Sequence, residues 1–99
     1  IKALAQSESG NNTEALNTLT QTIKEHPEVD ISYLNRSFVY RRIGNEKEAL
    51  NDLNKAIELN KTCSYAFFNR GVLRKQAGDL LGAESDFSKV LNIDSTYAG

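Results

Sequence analysis

Two arginines in this sequence each precede an aspartate by the same interval. The interval from Arg36 to Asp52 equals the interval from Arg70 to Asp86. A guanidinium and a carboxylate can form two parallel hydrogen bonds, which makes such a pair strong and specific in geometry. In a helical hairpin, this interval places each arginine opposite its aspartate. We therefore expect two structural ion pairs, in which loss of one partner would leave the other charge unpaired.

Amide and basic side chains on the same segments could bind a ligand. Asn35 and Asn69 directly precede the two arginines, and Arg41, Arg42 and Lys75 lie further along the same segments. A side-chain amide both donates and accepts hydrogen bonds, so it can pair with the backbone of a peptide whatever the peptide's sequence. The alternatives are that the amides bond only to neighbouring helices and that the cations form a solvated charged face.

Groups for catalysis or metal binding are scarce in the sequence. His26 is the single histidine, with no nearby serine or cysteine to activate, and Cys63 is the single cysteine. A structural zinc site takes four ligands, which these two residues do not supply. The glycines are dispersed and form no phosphate-binding loop. We expect no enzyme activity and no cofactor, and the lone cysteine suits the reducing cytoplasm.

The composition is that of an ordinary folded chain. Of the 99 residues, 39% are hydrophobic and 25% are charged, and the formal net charge is -1 at pH 7. This balance gives no strong attraction to nucleic acid or to an anionic membrane. No apolar run approaches the roughly 20 residues of a transmembrane helix. The opening IKALAQSESG resembles no signal peptide and lacks a Met, so we expect an internal segment of a longer protein.

One short phrase recurs at a constant interval, which we call the repeat period. GNNTEAL begins at Gly10, GNEKEAL at Gly44 and GDLLGAE at Gly78. A glycine after a helical stretch commonly ends the helix, and the chain contains a single proline to break helices elsewhere. We therefore predict a hairpin turn at each glycine, and we interpret the final DSTYAG as the start of another unit. The predicted helices cover about 1–9, 12–25, 30–43, 46–59, 64–77 and 80–93.

The repeating positions resemble the tetratricopeptide repeat family, whose period is roughly 34 residues. The turn glycines Gly44 and Gly78 and the stretch KAIELN from Lys55 to Asn60 also fit the pattern of that family. The resemblance implies an all-α fold, a right-handed superhelix of antiparallel helix hairpins. It also implies one domain over 1–99, with repeats at about 1–29, 30–63 and 64–97, the first of them truncated. Further matching positions are aromatic Tyr33 and Phe67, small Ser37 and Gly71, Ala49 and Ala83, Leu53 and Phe87, and Ala56.

The resemblance further implies a concave groove lined by the first helix of each pair, and hence a protein–protein interaction scaffold. The groove would bind a peptide or partner segment, and its basic character would favour acidic peptides. The alternative is a structural segment whose exposed ends stack on another copy, as a homodimer, or on adjoining repeats, with the groove unoccupied. The residues expected to line the groove are Asn35, Phe38, Arg41, Arg42, Tyr65, Phe68, Asn69, Val72, Lys75 and Gln76.

A well-known site of this family, the two-carboxylate clamp for chaperone tails, is not matched. That clamp takes Lys and Asn on the first helix of one unit, Asn on the next, and Lys and Arg on the third. Asn35 fits the middle requirement, but Leu4 stands where the first Asn is needed. Tyr65 and Asn69 stand where the last two cations are needed. We therefore do not expect this clamp here.

Overall fold

The computed structural model describes the backbone of residues 2–98 and the side chains of residues 11–93. Over this range the chain forms five α-helices and no strand, so the predicted all-α class is confirmed. The helices are α1 (Lys2–Glu25), α2 (Asp30–Arg42), α3 (Glu46–Leu59), α4 (Ser64–Gln76) and α5 (Leu80–Ala98).

The helices pack in chain order to form a short solenoid of about three repeats. α2 and α3 form one helix hairpin, and α4 and α5 form the next. α1 packs on α2, and α3 packs on α4, so each hairpin is covered by the helix that precedes it. Each unit therefore buries its apolar surface against its neighbours rather than within a separate core.

Small residues allow the helices to approach closely at the centre of the solenoid. Ser37 on α2 and Ala49 and Ala56 on α3 are fully buried, as is Leu53 between the two alanines. Larger side chains at the small positions would push the helices apart and leave voids around them. Ala66 of α4 is buried in the same cluster, so the second hairpin packs directly on the first.

Left-handed glycines end the first helix of each hairpin. Gly44 has φ +87° and Gly78 has φ +92°, a region that costs residues with a Cβ roughly 1–2 kcal/mol. The amide of Gly44 donates to the carbonyl of Arg41 at 3.1 Å, and the amide of Asn45 donates to the carbonyl of Tyr40 at 2.8 Å. These two bonds form a Schellman motif, which supplies hydrogen-bond donors to carbonyls that have no partner within the helix at its C-terminal end.

The turn predicted at Gly10 is wrong. α1 runs without interruption from Lys2 to Glu25, so the predicted helices 1–9 and 12–25 are one helix. Glycine permits the left-handed conformation but does not impose it. A hairpin turn interrupts the backbone hydrogen bonds of a helix, and the packing of two helices must compensate for that loss. The continuous helix α1 keeps those bonds through Gly10.

The predicted end of the last helix is also wrong. α5 extends from Leu80 to Ala98, through the residues 94–98 that were expected to begin another unit. After α3, the chain instead turns at Asn60, whose Nδ2 donates to Oδ2 of Asp30 at 3.0 Å. That turn lies between α3 and α4, which pack on each other. Within the described residues no helix follows α5, and a continued helix satisfies the backbone groups there.

Alanine substitution of the glycines distinguishes these two backbone states. We expect Gly44→Ala to lower the free energy of unfolding by about 1 kcal/mol, because alanine is strained at positive φ. Gly10→Ala should raise it by about 0.5–1 kcal/mol, because alanine is favoured over glycine inside a helix. Urea denaturation followed by far-ultraviolet circular dichroism measures both. An equal loss of stability in the two variants would show that Gly10 occupies a turn.

Candidate functional site

The ten residues predicted to line the groove lie on two neighbouring helices. Arg41 of α2 donates from Nη1 to Oδ1 of Asn69 on α4 at 3.0 Å, which joins the two helices directly. We refer to the ten residues together as the groove surface: Asn35, Phe38, Arg41 and Arg42 on α2, and Tyr65, Phe68, Asn69, Val72, Lys75 and Gln76 on α4.

Three aromatic rings of the groove surface are exposed. Tyr65 is 71% exposed, Phe68 50% and Phe38 38%, while Val72 is half-buried. Tyr65 and Phe68 lie three residues apart on α4, so they share one face of the helix. Neighbouring exposed rings form an apolar patch that a bound side chain could cover.

Asn69 is buried and already holds two hydrogen bonds. Its Nδ2 donates to the backbone carbonyl of Tyr65 at 2.8 Å, and its Oδ1 accepts from Arg41 at 3.0 Å. The residue is 7% exposed, which limits access to the remaining donor and acceptor of the amide. The described contacts of Asn69 are therefore those of a residue that bridges two helices.

Asn35 has a different environment, although it stands at the equivalent position of the preceding unit. It is exposed, and its side chain makes no hydrogen bond to the other described residues. One repeat period before Arg41 the sequence has Ser7, which carries no guanidinium. The bond that holds Asn69 therefore has no counterpart at Asn35, and the Asn35 amide is open to pair with an incoming backbone.

Arg42 is held by a residue that the sequence analysis did not single out. Its Nη1 donates to Oδ1 of Asn12 on α1 at 3.1 Å, and Asn12 is buried. Asn12 is the second asparagine of the phrase GNNTEAL, where the next unit has Glu46. This difference between the two units is the one feature of the sequence that could have indicated the contact between Arg42 and Asn12.

Three cations of the groove surface carry a charge that no carboxylate neutralises among the described residues. Arg41 and Arg42 donate to neutral amides, and Lys75 forms no ion pair there. All three lie in the last turn of their helices, where the helix dipole stabilises a positive charge by roughly 0.3–1 kcal/mol. The charge nevertheless remains available to an anionic ligand.

The two predicted arginine–aspartate pairs are confirmed. Arg36 donates from Nε and Nη2 to Asp52 at 2.8 and 2.7 Å, and Arg70 donates to Asp86 in the same way at 2.9 and 2.8 Å. Both aspartates are buried, and both pairs have the bidentate geometry that makes such bonds strong. Each pair joins the first and second helices of its hairpin, so both arginines act in the fold.

Each paired arginine also reaches the preceding unit. Nη1 of Arg36 donates to Oγ1 of Thr20 on α1 at 3.3 Å. Nη1 of Arg70 donates to Oδ1 of Asn54 on α3 at 2.9 Å. Thr20 and Asn54 are themselves one repeat period apart. One guanidinium therefore links three helices, and this link is repeated in successive units.

The surroundings of Arg36 favour its charged form. Its hydrogen bond to Asp52 is the largest effect that raises the pKa of Arg36, and the aspartate charge adds to it against the cost of burial. The rings of Tyr33 and Tyr40 lie 6.0 and 5.6 Å from the guanidinium carbon and contribute a cation–π attraction. Because this pKa rises from an already high value, deprotonation of Arg36 itself lowers the stability only in strongly alkaline solution.

Metal and membrane sites find no support in the described residues. No group of three or more His, Cys, Asp or Glu among them is arranged to hold a metal ion. His26 is exposed, 3.9 Å from a carboxylate oxygen of Glu28, and Cys63 is a half-buried free thiol. None of the helices found in residues 2–98 has the length and apolar character needed to cross a membrane.

Replacement of a buried aspartate tests the importance of the ion pairs. We expect Asp52→Asn to lower the free energy of unfolding by about 3 kcal/mol, because it leaves the Arg36 guanidinium without a carboxylate. The matched control is Glu58→Gln, which removes the exposed Lys55–Glu58 pair and should cost under about 0.5 kcal/mol. Urea denaturation measures both, and similar small losses in the two variants would contradict a structural role for the buried pair.

Family comparisons agree with the repeat seen in the structure. Two stretches of the sequence, residues 1–28 and 31–63, match models of the tetratricopeptide repeat. A comparison with curated proteins found no match.

Several solved structures share this arrangement of helices. The second tetratricopeptide domain of Spaghetti (RPAP3), bound to the HSP90 peptide SRMEEVD, is 29% identical; the match covers 93% of this chain and 85% of that one, with TM-score 0.80. The first such domain, bound to the same peptide, is 26% identical over 95% and 75% of the two chains, with TM-score 0.82. The tetratricopeptide domain of P58(IPK) is 36% identical over 93% of this chain but 25% of that one, with TM-score 0.82. This chain belongs to the tetratricopeptide repeat family.

Proposed function

We propose that this chain binds an extended peptide segment of a protein partner along the groove surface. One observation carries the proposal: exposed aromatic rings and cations without a carboxylate partner among the described residues lie together on two neighbouring helices. A helical-repeat fold presents an extended surface of this kind to protein partners. Aromatic anchors and complementary charge are the features by which such surfaces recognise peptides.

Each part of the groove surface suits a different part of a peptide. The Asn35 amide can pair with a peptide bond, and the rings of Tyr65 and Phe68 can cover an apolar side chain. Lys75 lies two helical turns beyond Phe68, which is about 10 Å along α4. An extended peptide covers that distance in about three residues. The ligand we expect therefore has an apolar side chain about three residues from a carboxylate.

The similar structures support an acidic ligand but not the same mode of binding. Two RPAP3 domains were solved with the acidic peptide SRMEEVD. The chaperone-tail clamp needs cations at the positions of Tyr65 and Asn69, and here Asn69 is buried between Arg41 and the Tyr65 carbonyl. We propose that Arg41, Arg42 and Lys75, at the C-terminal ends of α2 and α4, receive the carboxylate instead.

Charge reversal at Lys75 tests recognition of the acidic group. Peptides selected from a random linear phage-display library, with SRMEEVD as a defined acidic probe, serve as ligands in fluorescence anisotropy. We expect Lys75→Glu to weaken binding of acidic peptides about tenfold, because attraction becomes repulsion and a tenfold change corresponds to about 1.4 kcal/mol. Lys89→Glu is the control, since Lys89 is exposed on α5 outside the groove surface. Equal weakening by both variants would indicate attraction by overall charge alone.

Asn35→Ala tests recognition of the peptide backbone. We expect affinity for the same selected peptides to fall about fivefold, which corresponds to one hydrogen bond of about 1 kcal/mol. Because Asn35 is exposed and its side chain has no partner among the described residues, circular dichroism should show an unchanged fold. If neither Asn35→Ala nor Lys75→Glu weakens binding, the groove surface is not the binding site.

The second candidate function is self-association through the ends of the array. Leu91 on α5 is 68% exposed, and an apolar side chain left open at the end of a repeat array favours contact with another copy. Sedimentation velocity over a range of concentrations distinguishes the two candidates. A homodimer at micromolar concentration supports this alternative, and a monomer at all concentrations rules it out.

A further inference from the structure

Arg36 and Arg70 each use two sides of the guanidinium group. The edge formed by Nε and Nη2 holds a buried aspartate through two parallel bonds, which measure 2.8 and 2.7 Å at Arg36. Nη1 donates to a neutral oxygen of the preceding unit, Oγ1 of Thr20 in one case and Oδ1 of Asn54 in the other. The planar group presents its donors in fixed directions, so one contact orients the group for the other.

Arg41 and Arg42 repeat one of these two contacts. Nη1 of Arg41 donates to Oδ1 of Asn69 at 3.0 Å, and Nη1 of Arg42 donates to Oδ1 of Asn12 at 3.1 Å. Nε and Nη2 of both arginines make no hydrogen bond to the described residues. The edge with which the paired arginines hold their aspartates is therefore unused here, within the part of the chain that the structure describes.

The two acceptors hold these arginines without neutralising them. Asn12 and Asn69 are both buried, at 7% exposure. An amide oxygen accepts the same bond as a carboxylate oxygen but carries no charge. Restraining the guanidinium before a ligand arrives also reduces the conformational entropy that binding would otherwise cost. The two arginines are thus held in place while their charge stays available to an anion.

The contact between Arg42 and Asn12 is not a repeated element of the fold. One repeat period later, Gln76 stands in place of Arg42 and Glu46 in place of Asn12, so the neutral amide has changed sides and the cation is absent. The buried arginine–aspartate pairs, in contrast, recur in both hairpins. The Arg42 contact is therefore specific to one unit rather than a requirement of the packing of every unit.

We propose that the Nε–Nη2 edges of Arg41 and Arg42 each bind a carboxylate of the peptide through two parallel hydrogen bonds, and that Asn69 and Asn12 are the positioning residues that orient them. This mode of recognition rests on the proposed function of the groove surface, and it assigns a role to Asn12, which lies outside that surface. Arg42 is exposed and Arg41 is half-buried, so a peptide on the groove surface can reach both guanidinium groups.

Asn12→Asp tests the need for a neutral acceptor. Aspartate keeps the shape of asparagine and accepts the Arg42 bond, but it neutralises the guanidinium. We expect affinity for SRMEEVD, and for acidic peptides selected by phage display, to fall about tenfold in fluorescence anisotropy. Affinity for amidated analogues of these peptides, with Gln for Glu and Asn for Asp, should be unchanged. The control is Asn11→Asp, which adds the same charge at an exposed neighbouring position.

Arg42→Lys tests the bidentate geometry. Lysine keeps the positive charge but does not present two parallel donors, so we expect affinity for the acidic peptides to fall about fivefold. In a chain that already carries Asn12→Asp, the same change should cause little further loss, because both substitutions remove one interaction. Losses that multiply would show that Asn12 does not act through Arg42, which overturns its positioning role.

Nuclear magnetic resonance of the arginine Nε–H groups observes the contact without relying on affinity. Single arginine-to-lysine variants assign the signals. We expect the signals of Arg41 and Arg42 to shift on saturation with an acidic peptide, and those of Arg36 and Arg70 to stay, because buried aspartates already hold them. An unchanged Arg42 signal would leave Asn12 with a purely structural role.

The remaining outcomes separate this proposal from the proposed function. Equal weakening by Asn12→Asp and Asn11→Asp indicates attraction by overall charge alone and overturns the positioning role. Weaker binding in Lys75→Glu, with unchanged binding in Arg42→Lys and Asn12→Asp, keeps the groove surface as the binding site and overturns the role of the arginines. If Lys75→Glu and Asn35→Ala also leave binding unchanged, the proposed function fails as well. Failure of the two proposals is therefore distinguishable.

Discussion

A guanidinium that links three helices holds those helices at the distances on which the packing of this structure depends. Arg36 holds Asp52 of its own hairpin through two bonds and Thr20 of the preceding unit through a third. A planar group with five donors suits this role, because its bonds define directions as well as distances. The aspartate is buried, so the pair cannot be broken without leaving a charge unpaired in the interior.

The same constraint turns residues of the groove surface away from the ion pair. Successive residues on an α-helix are about 100° apart. Because Arg36 points toward Asp52 between α2 and α3, Asn35 is rotated away from that contact and is exposed. Asn69 precedes Arg70 in the same way, yet Arg41 reaches it from the neighbouring unit and holds it in place. The ion pairs thus orient the groove surface without belonging to it.

The sequence predicts the features that depend on internal repetition, and it fails where the neighbours of a unit differ. The turn at Gly44 and the pairing of Arg36 with Asp52 follow from the repeat period and from simple helix geometry. The continuation of α1 through Gly10 does not follow from the repeat period. A glycine permits a turn, but the glycine phrase gives no information about which helices pack beside it. The unequal surroundings of Asn35 and Asn69 have the same origin, since one unit offers an arginine at the required position and the other offers a serine.

One glycine phrase adopts two backbone conformations, helical at Gly10 and left-handed at Gly44 and Gly78. The glycine phrase alone therefore does not fix the boundary between units; at Gly44 and Gly78 the boundary lies where two helices pack as a hairpin. The stability of a repeat array is approximately a sum of terms for the individual units and terms for the interfaces between neighbouring units. Folding of such an array can nucleate in any unit and propagate to its neighbours.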